Sequence, residues 1–410
     1  MAHILIVHGR EQLQYKEKKM ITYRCDLFSP SGYSKAARNH LRALIEMGIE
    51  VRVEDRRKDP SIIDMDSFWR EWGPKVISAP PVRHGIRIWH ETPDFFTPSQ
   101  PTYDIGMVPW ETSRVNSDFL NGNARTNWVA QMNKMDEMWT AATSTKEAFE
   151  LSGVTVPIHV FPHPIDTDLY TPMEGVELKD ELDKSFDKDI FKLLSIFQWN
   201  PRKNPADLLS YYFSVMDGYE DVRLFIKTYK TEVGNSNDIT FCRSEMKRIK
   251  EALNLQKPPK LQALWARVSD EDMPKLYNSC DVYYALPLGE GFGLPFQEAM
   301  ACGKPCIFPK SSSMLDFMDD EVGYGVDVIE EVVSNVHLPN MRLTPWYRGN
   351  QVWWKPTFRS VEVALKKVYL DWKSGKLAKK GEKARERIKK LHSFKRVGKM
   401  MKDRLDAIGK

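Results

Sequence analysis

Apolar residues in this chain gather in short, nearly continuous runs, and the stretches between them carry the three-to-four-residue period of helices. Runs at Ile4–His8, Ile21–Cys25, Glu50–Glu54, Gly85–His90, Ile105–Pro109, Met135–Ala141 and Val154–Val160 predict strands in the first part of the chain. A second set follows at Ile190–Phe197, Arg223–Thr228, Asp281–Leu288 and Cys306–Pro309. Strands half exposed to water would alternate. These do not, so the pattern predicts parallel strands covered on both faces by helices, an α/β architecture. The turn Ser29-Pro30-Ser31-Gly32-Tyr33-Ser34 leads into a helix from about Lys35 to Met47, which Gly48 closes. Ser144 or Thr145 is placed to cap the helix after Ala141. Between the two sets, Tyr170–Asp189 holds Pro172, Gly175 and seven acids among few large apolar residues, which predicts a linker.

The densest chemical signal is Gly289-Glu290-Gly291-Phe292-Gly293-Leu294-Pro295-Phe296-Gln297-Glu298, running on to Gly303-Lys304-Pro305. Glycines on both sides of Phe292 let backbone approach a ligand or take φ > 0. Pro295 stands where a helix should open, and Gly303 closes it about two turns on. A helix N-terminus facing a Gly-rich turn favours an anion by roughly 0.3–1 kcal/mol. Glu298 lies one turn inside the helix and Glu290 on the turn, so a carboxylate flanks the cradle on each side. Diphosphate in such a cradle, with carboxylates for vicinal hydroxyls, describes a nucleotide-sugar.

The stretch Glu290–Pro305 resembles the two-glutamate motif (Glu, seven residues, Glu) of retaining GT-B glycosyltransferases of family four, the group 1 type. The resemblance implies two Rossmann-like domains facing across a cleft, with a C-terminal helix crossing back. It places an acceptor-binding domain at 1–172, a linker at 173–189, a nucleotide-sugar-binding domain at 190–385 and a basic returning helix at 386–410. It further implies that Glu298 holds the ribose hydroxyls and Glu290 the donor sugar. Backbone of Gly291, Phe292, Gly293 and Leu294 would meet sugar and phosphate, and Val268 and Ser269 the base. Lys203 matches the family's phosphate lysine. The family arginine is replaced by Gln198, and neighbouring Arg202 is able to supply the missing cation. On the acceptor side the resemblance points to His90, at a strand's C-terminal end, and to Gly32, Tyr33 and Glu111. His90 either meets a sugar or acceptor hydroxyl or packs on Trp89, and Glu111 receives no role beyond shaping the cleft.

The implied reaction moves a sugar from a UDP-, GDP- or ADP-sugar to a hydroxyl acceptor with retention, with neither cofactor nor metal. Asp166-Thr167-Asp168 looks like a metal-binding Asp-x-Asp, but it follows a Pro-rich turn at the domain exit and reads as structural. Length and a 42% hydrophobic content suffice for two cores. With no apolar run of eighteen residues and no signal-like N-terminus, the expected location is cytoplasmic. The five cysteines show no paired metal spacing and read as reduced thiols. Charge changes the picture at one place. Lys373–Arg404 carries fourteen Lys/Arg against three acids, a surplus of eleven that leaves −7 elsewhere in a chain of net +4. Such a segment suits a solvated helix face or an anionic partner, a membrane surface or nucleic acid. Two rivals therefore stay open: a sugar transferase acting on hydroxymethylated bases of viral DNA, and a nucleotide-sugar-binding protein without turnover, which Gln198 keeps in play.

Overall fold

The computed structural model describes residues 20–29, 31–56, 66–81, 84–119, 122–177, 189–231, 233–334 and 346–409. The expected strand Ile4–His8 and most of the acidic linker lie outside them. The first domain contains β1 (Met20–Cys25), α1 (Gly32–Glu46), β2 (Glu50–Asp55), α2 (Ser67–Ser78), β3 (Gly85–Trp89) and β4 (Thr102–Met107). It continues through α3 (Trp128–Met132), β5 (Glu137–Thr140), α4 (Thr143–Ser152) and β6 (Ile158–Val160). Its strands form one parallel sheet in the order β2-β1-β3-β4-β5-β6.

The second domain contains β7 (Phe191–Gln198), α5 (Pro205–Val215), β8 (Val222–Tyr229), α6 (Ser236–Ala252), β9 (Lys260–Leu264) and α7 (Met273–Asn278). Next come β10 (Val282–Tyr284), α8 (Leu294–Ala301), β11 (Cys306–Pro309) and β12 (Gly323–Val326). These strands form a second parallel sheet, β12-β11-β10-β7-β8-β9. In β7, Leu193, Leu194 and Ser195 are buried in succession, as in a strand covered on both faces. Each sheet reverses its strand order once, at β1/β3 and at β7/β10, and ligands of open α/β sheets gather beyond the strand ends at such points.

Several boundaries differ from expectation. The run Asp281–Leu288 contributes only three strand residues before the chain turns outward. The helix expected from Lys35 begins at Gly32, because Ser31 caps it by accepting from the Ser34 amide. Neither Ser144 nor Thr145 caps α4: the N-cap is Ala142, and the Thr145 hydroxyl instead bonds the Trp110 backbone.

An antiparallel hairpin, β13 (Val328–Val332) and β14 (Val352–Pro356), stands apart from both sheets, and the sequence reading did not foresee it. Ser113 bonds its Val352 through both amide and hydroxyl, which ties the hairpin to the first domain. Three helices end the chain: α9 (Phe358–Lys373), α10 (Leu377–His392) and α11 (Phe394–Ile408). Ala384 and Ile388 of α10 pack into the second domain's core, whereas Phe394, Val397, Met401 and Leu405 of α11 pack into the first's. The return crossing therefore falls at Ser393, later than the expected 386, where Ile165 bridges to Ser393. The cations of this segment are partly structural. Arg385 donates to the carbonyls of Thr167, Tyr170 and Ala301, and Arg404 pairs with buried Glu137. All five cysteines are buried free thiols, and among the described residues no helix is long and apolar enough to cross a membrane.

Candidate active site

The Gly-rich turn and α8 sit at the β7/β10 reversal, against a small hollow lined by Ile196, Phe197, Lys203, Tyr283, Glu290 and Phe296, among others. The short helical turn Pro201–Lys203 follows β7 because the Asn200 side chain caps it by accepting from the Lys203 amide. Lys203 and Arg202 both reach Glu290: the Lys203 ammonium makes a short hydrogen bond to Oε1, and Arg202 Nη1 lies 3.4 Å from Oε2. Arg202 Nη1 also donates to the Gly289 carbonyl at 2.7 Å. Burial alone would push the Glu290 carboxyl up, but Lys203 and Arg202 outweigh it and hold the group below its ordinary range. Ser313 Oγ donates to the Glu290 carbonyl at 3.0 Å, so the Ser-rich turn after β11 braces this residue's backbone.

The other carboxylate is fully engaged. Glu298 Oε2 accepts from the Tyr277 hydroxyl at 2.7 Å, and Oε1 lies 2.6 Å from Lys35 Nζ, contributed by α1 of the opposite domain. Lys35 also donates to the Tyr170 hydroxyl and lies 3.8 Å from Asp270. Burial by itself would lower the Lys35 pKa; Glu298, Tyr170 and Asp270 together raise it well above the usual lysine value. The cleft is closed here, and Glu298, Lys35, Tyr277 and Tyr170 satisfy one another.

Two of the three motif glycines serve this closure. A Cβ on Gly289 would stand 2.1 Å from the Glu111 carbonyl oxygen, and one on Gly291 would meet Pro109 Cβ at 2.8 Å. Only Gly293 uses glycine's conformational freedom, at φ 90° as the N-cap of α8, which puts Pro295 second in the helix. The Phe292 ring is buried against His163, Phe317 and His392, and Leu294 packs on the second domain's core.

The remaining expected residues are spread more widely. Glu111 does join the group: Arg202 Nε lies 3.2 Å from its Oε1, which also accepts a short hydrogen bond from the Tyr347 hydroxyl. His90 is buried at the β1/β3 reversal, its Nδ1 2.7 Å from the Tyr23 hydroxyl and its ring against Tyr33, His40 and His163 rather than Trp89. Burial, then the neighbouring His40, pushes its pKa well below the usual value and keeps the imidazole neutral. Gly32 is exposed at the start of α1. Gln198 is not brought to the site: it is exposed and donates to the Lys230 carbonyl at 2.9 Å. Ser269 bonds Asp272, and Val268 leans on the second core. Asp166 accepts from the amides of Asp168 and Leu169 and pairs with Arg42, a structural use of the Asp-x-Asp.

The sequence reading missed Lys35, Tyr277 and Tyr347. The one faint signal was Lys35 itself, a cation in a helix's first turn, where the dipole disfavours it.

Residues 181–331 match the family described as Glycosyl transferases group 1. A stretch of 53 residues is 40% identical to the O-antigen chain mannosyltransferase B of Escherichia coli, a match that spans 13% of this chain and 14% of that relative. The fold is similar to that of sucrose-phosphate synthase from Thermosynechococcus elongatus, with TM-score 0.62 and 12% identity over 95% of this chain and 99% of that one. It is also similar to HepE from Anabaena, solved in complex with UDP-glucose, with TM-score 0.60 and 14% identity over 95% of this chain and 99% of that one. The chain therefore shares the GT-B fold of these structures, and its residues 181–331 match the glycosyl transferases group 1 family.

Proposed function

We propose that this protein transfers a sugar from a nucleoside-diphosphate donor to a hydroxyl acceptor. One observation carries the reading: Glu290, paired with two cations, and Glu298 flank a Gly-rich turn at the point where the second sheet reverses. In this reading Glu298 takes the ribose hydroxyls once Lys35 has left it. Glu290 takes hydroxyls of the donor sugar, and Lys203 and Arg202 face the diphosphate. The anomeric carbon–oxygen bond to phosphate breaks as the bond to the acceptor oxygen forms on the same face, and the acceptor proton passes to the departing phosphate. Negative charge accumulates on that leaving group. One ammonium about 4 Å away lowers its energy by roughly 4 kcal/mol at an effective dielectric near 20, and charge placed in advance is commonly the largest catalytic contribution. The donor needs no metal in this scheme, because Lys203, Arg202 and the helix end supply the positive charge. Neutral His90, whose buried Nε2 has no hydrogen-bond partner in the closed cleft, is available to a sugar or acceptor hydroxyl.

The test is thermal shift and donor hydrolysis across UDP-, GDP-, ADP- and dTDP-sugars, for the native chain and Glu298→Ala. Stabilisation by one donor that the variant loses is the expected result. No shift with any donor would overturn the reading.

A further inference from the structure

The first domain touches the Gly-rich turn through the loop Pro109–Glu111 beyond β4, close enough that neither Gly289 nor Gly291 tolerates a Cβ. From that loop the Glu111 carboxylate continues to Arg202. Its Oε1 lies 3.2 Å from Arg202 Nε, while the guanidinium's Nη1 meets the Gly289 carbonyl at 2.7 Å and Glu290 Oε2 at 3.4 Å. The Tyr347 hydroxyl, just before the hairpin strand β14, donates to the same Glu111 oxygen. The three charged side chains keep 18%, 20% and 10% of their surface, for Glu111, Arg202 and Glu290. A planar guanidinium held at Nε by one carboxylate and at Nη1 by a carbonyl and a second carboxylate has neither its plane nor its rotation left free. One of those holders belongs to the opposite domain, so the orientation of Arg202 depends on closure of the cleft.

We propose that Glu111 is a positioning residue for sugar transfer: pinned by Tyr347, it orients Arg202 toward the donor diphosphate, and it does so only in the closed cleft. The role rests on the reading of Arg202 and Lys203 as diphosphate-facing cations. A glutamate that acts through another residue leaves a signature that a merely structural one does not. Its removal lowers kcat with little change in nucleotide affinity, and the effect disappears once Arg202 is gone.

The experiment is a double-mutant cycle of Glu111→Ala and Arg202→Ala on donor turnover, with nucleoside-diphosphate affinity measured by calorimetry. Misplacing a catalytic group by about 1 Å costs on the order of 100-fold. Glu111→Ala is expected to lose that order of magnitude in kcat in the native background and nothing further in the Arg202→Ala background. Tyr347→Phe shifts kcat in the same direction, less strongly, and Glu111→Asp recovers part of the loss. Should Glu111→Ala fail to fold, Glu111→Gln, which keeps the shape and loses the charge, carries the same comparison. Losses that multiply across the cycle would overturn the proposal, as would a fall in nucleotide affinity with kcat unchanged. Unaltered turnover and nucleotide affinity in both Arg202→Ala and Lys203→Met would instead overturn the diphosphate reading itself, and no nucleotide binding by the native chain would overturn both.

Discussion

Lys35 Nζ lies 2.6 Å from Glu298 Oε1, the ammonium supplied by one domain and the carboxylate by the other. Glu298 is 5% exposed, so the pair is largely desolvated. Removing one partner of such a pair strands the other charge. Lys35→Met is accordingly expected to cost about 3 kcal/mol, and Lys35→Met with Glu298→Gln less than the sum of the two single changes. Urea unfolding of the four proteins measures this, and strict additivity would show that the contact contributes nothing.

The same contact bears on nucleotide binding. Ribose hydroxyls and Lys35 ask for the same oxygen, so Lys35→Met is expected to bind nucleoside diphosphates more tightly than the native chain. Calorimetric titration reads the sign directly. Weaker binding would mean that Lys35 contacts the nucleotide instead of competing with it.

Lys203→Met removes the ammonium that pairs with Glu290 and, in the proposed reaction, faces the leaving diphosphate. A fall of about 10²–10³ in kcat is expected, the usual consequence of losing one group placed to stabilise developing charge. Donor turnover at saturating nucleotide-sugar checks it. A change confined to KM would place Lys203 in ground-state binding only.

Stability should fall between pH 6.5 and 4.5. Burial pushes His40 down to about 4 and His392 to about 3, and His90 and His163 lie well below the ordinary 6.5. In that window the unfolded chain takes up protons that the folded one refuses, so each buried imidazole withdraws up to about 1.4 kcal/mol per pH unit. Glu91, Asp281 and Asp316, whose carboxyls burial raises, work in the opposite direction. Glu290, held low, withdraws its contribution only as pH falls below 4.5. His392→Phe, which keeps a ring against Phe292 and Phe317, should flatten the unfolding free energy against pH by close to one proton. An unchanged slope would sink this account.

Gly398 of α11 passes so near α1 that a Cβ would stand 2.5 Å from the Ala43 carbonyl oxygen. Alanine gains about 1 kcal/mol over glycine in a helix, but forcing apart a packed contact costs roughly 1–3 kcal/mol. The balance puts Gly398→Ala at or below the native stability. Chemical denaturation that showed it more stable would mean that the helices yield freely.

Much of the fold was legible because its determinants are local. Buried parallel strands need unbroken apolar runs on both faces, and the β7 and β11 runs announced themselves that way. Gly293 and Gly303 take positive φ near the ends of α8, within a residue or so of where the motif placed its turns. The hairpin escaped because its anchor is a non-local bond to Ser113 rather than a period in its own residues. Gln198 escaped for a related reason: motif position predicts which strand end a residue occupies, not where its side chain turns.

The sequence by itself determined two α/β halves and the Glu290–Glu298 cradle, since each depends on residues a few positions apart, whereas Lys203, 87 positions from Glu290, was expected beside it only through the family resemblance. The tertiary structure decided which groups meet across the cleft. Lys35 on Glu298 and Glu111 on Arg202 join residues 263 and 91 positions apart. No pattern of propensity or spacing encodes such pairs, because they form only when two separately folded sheets close on each other and their buried charges must find partners.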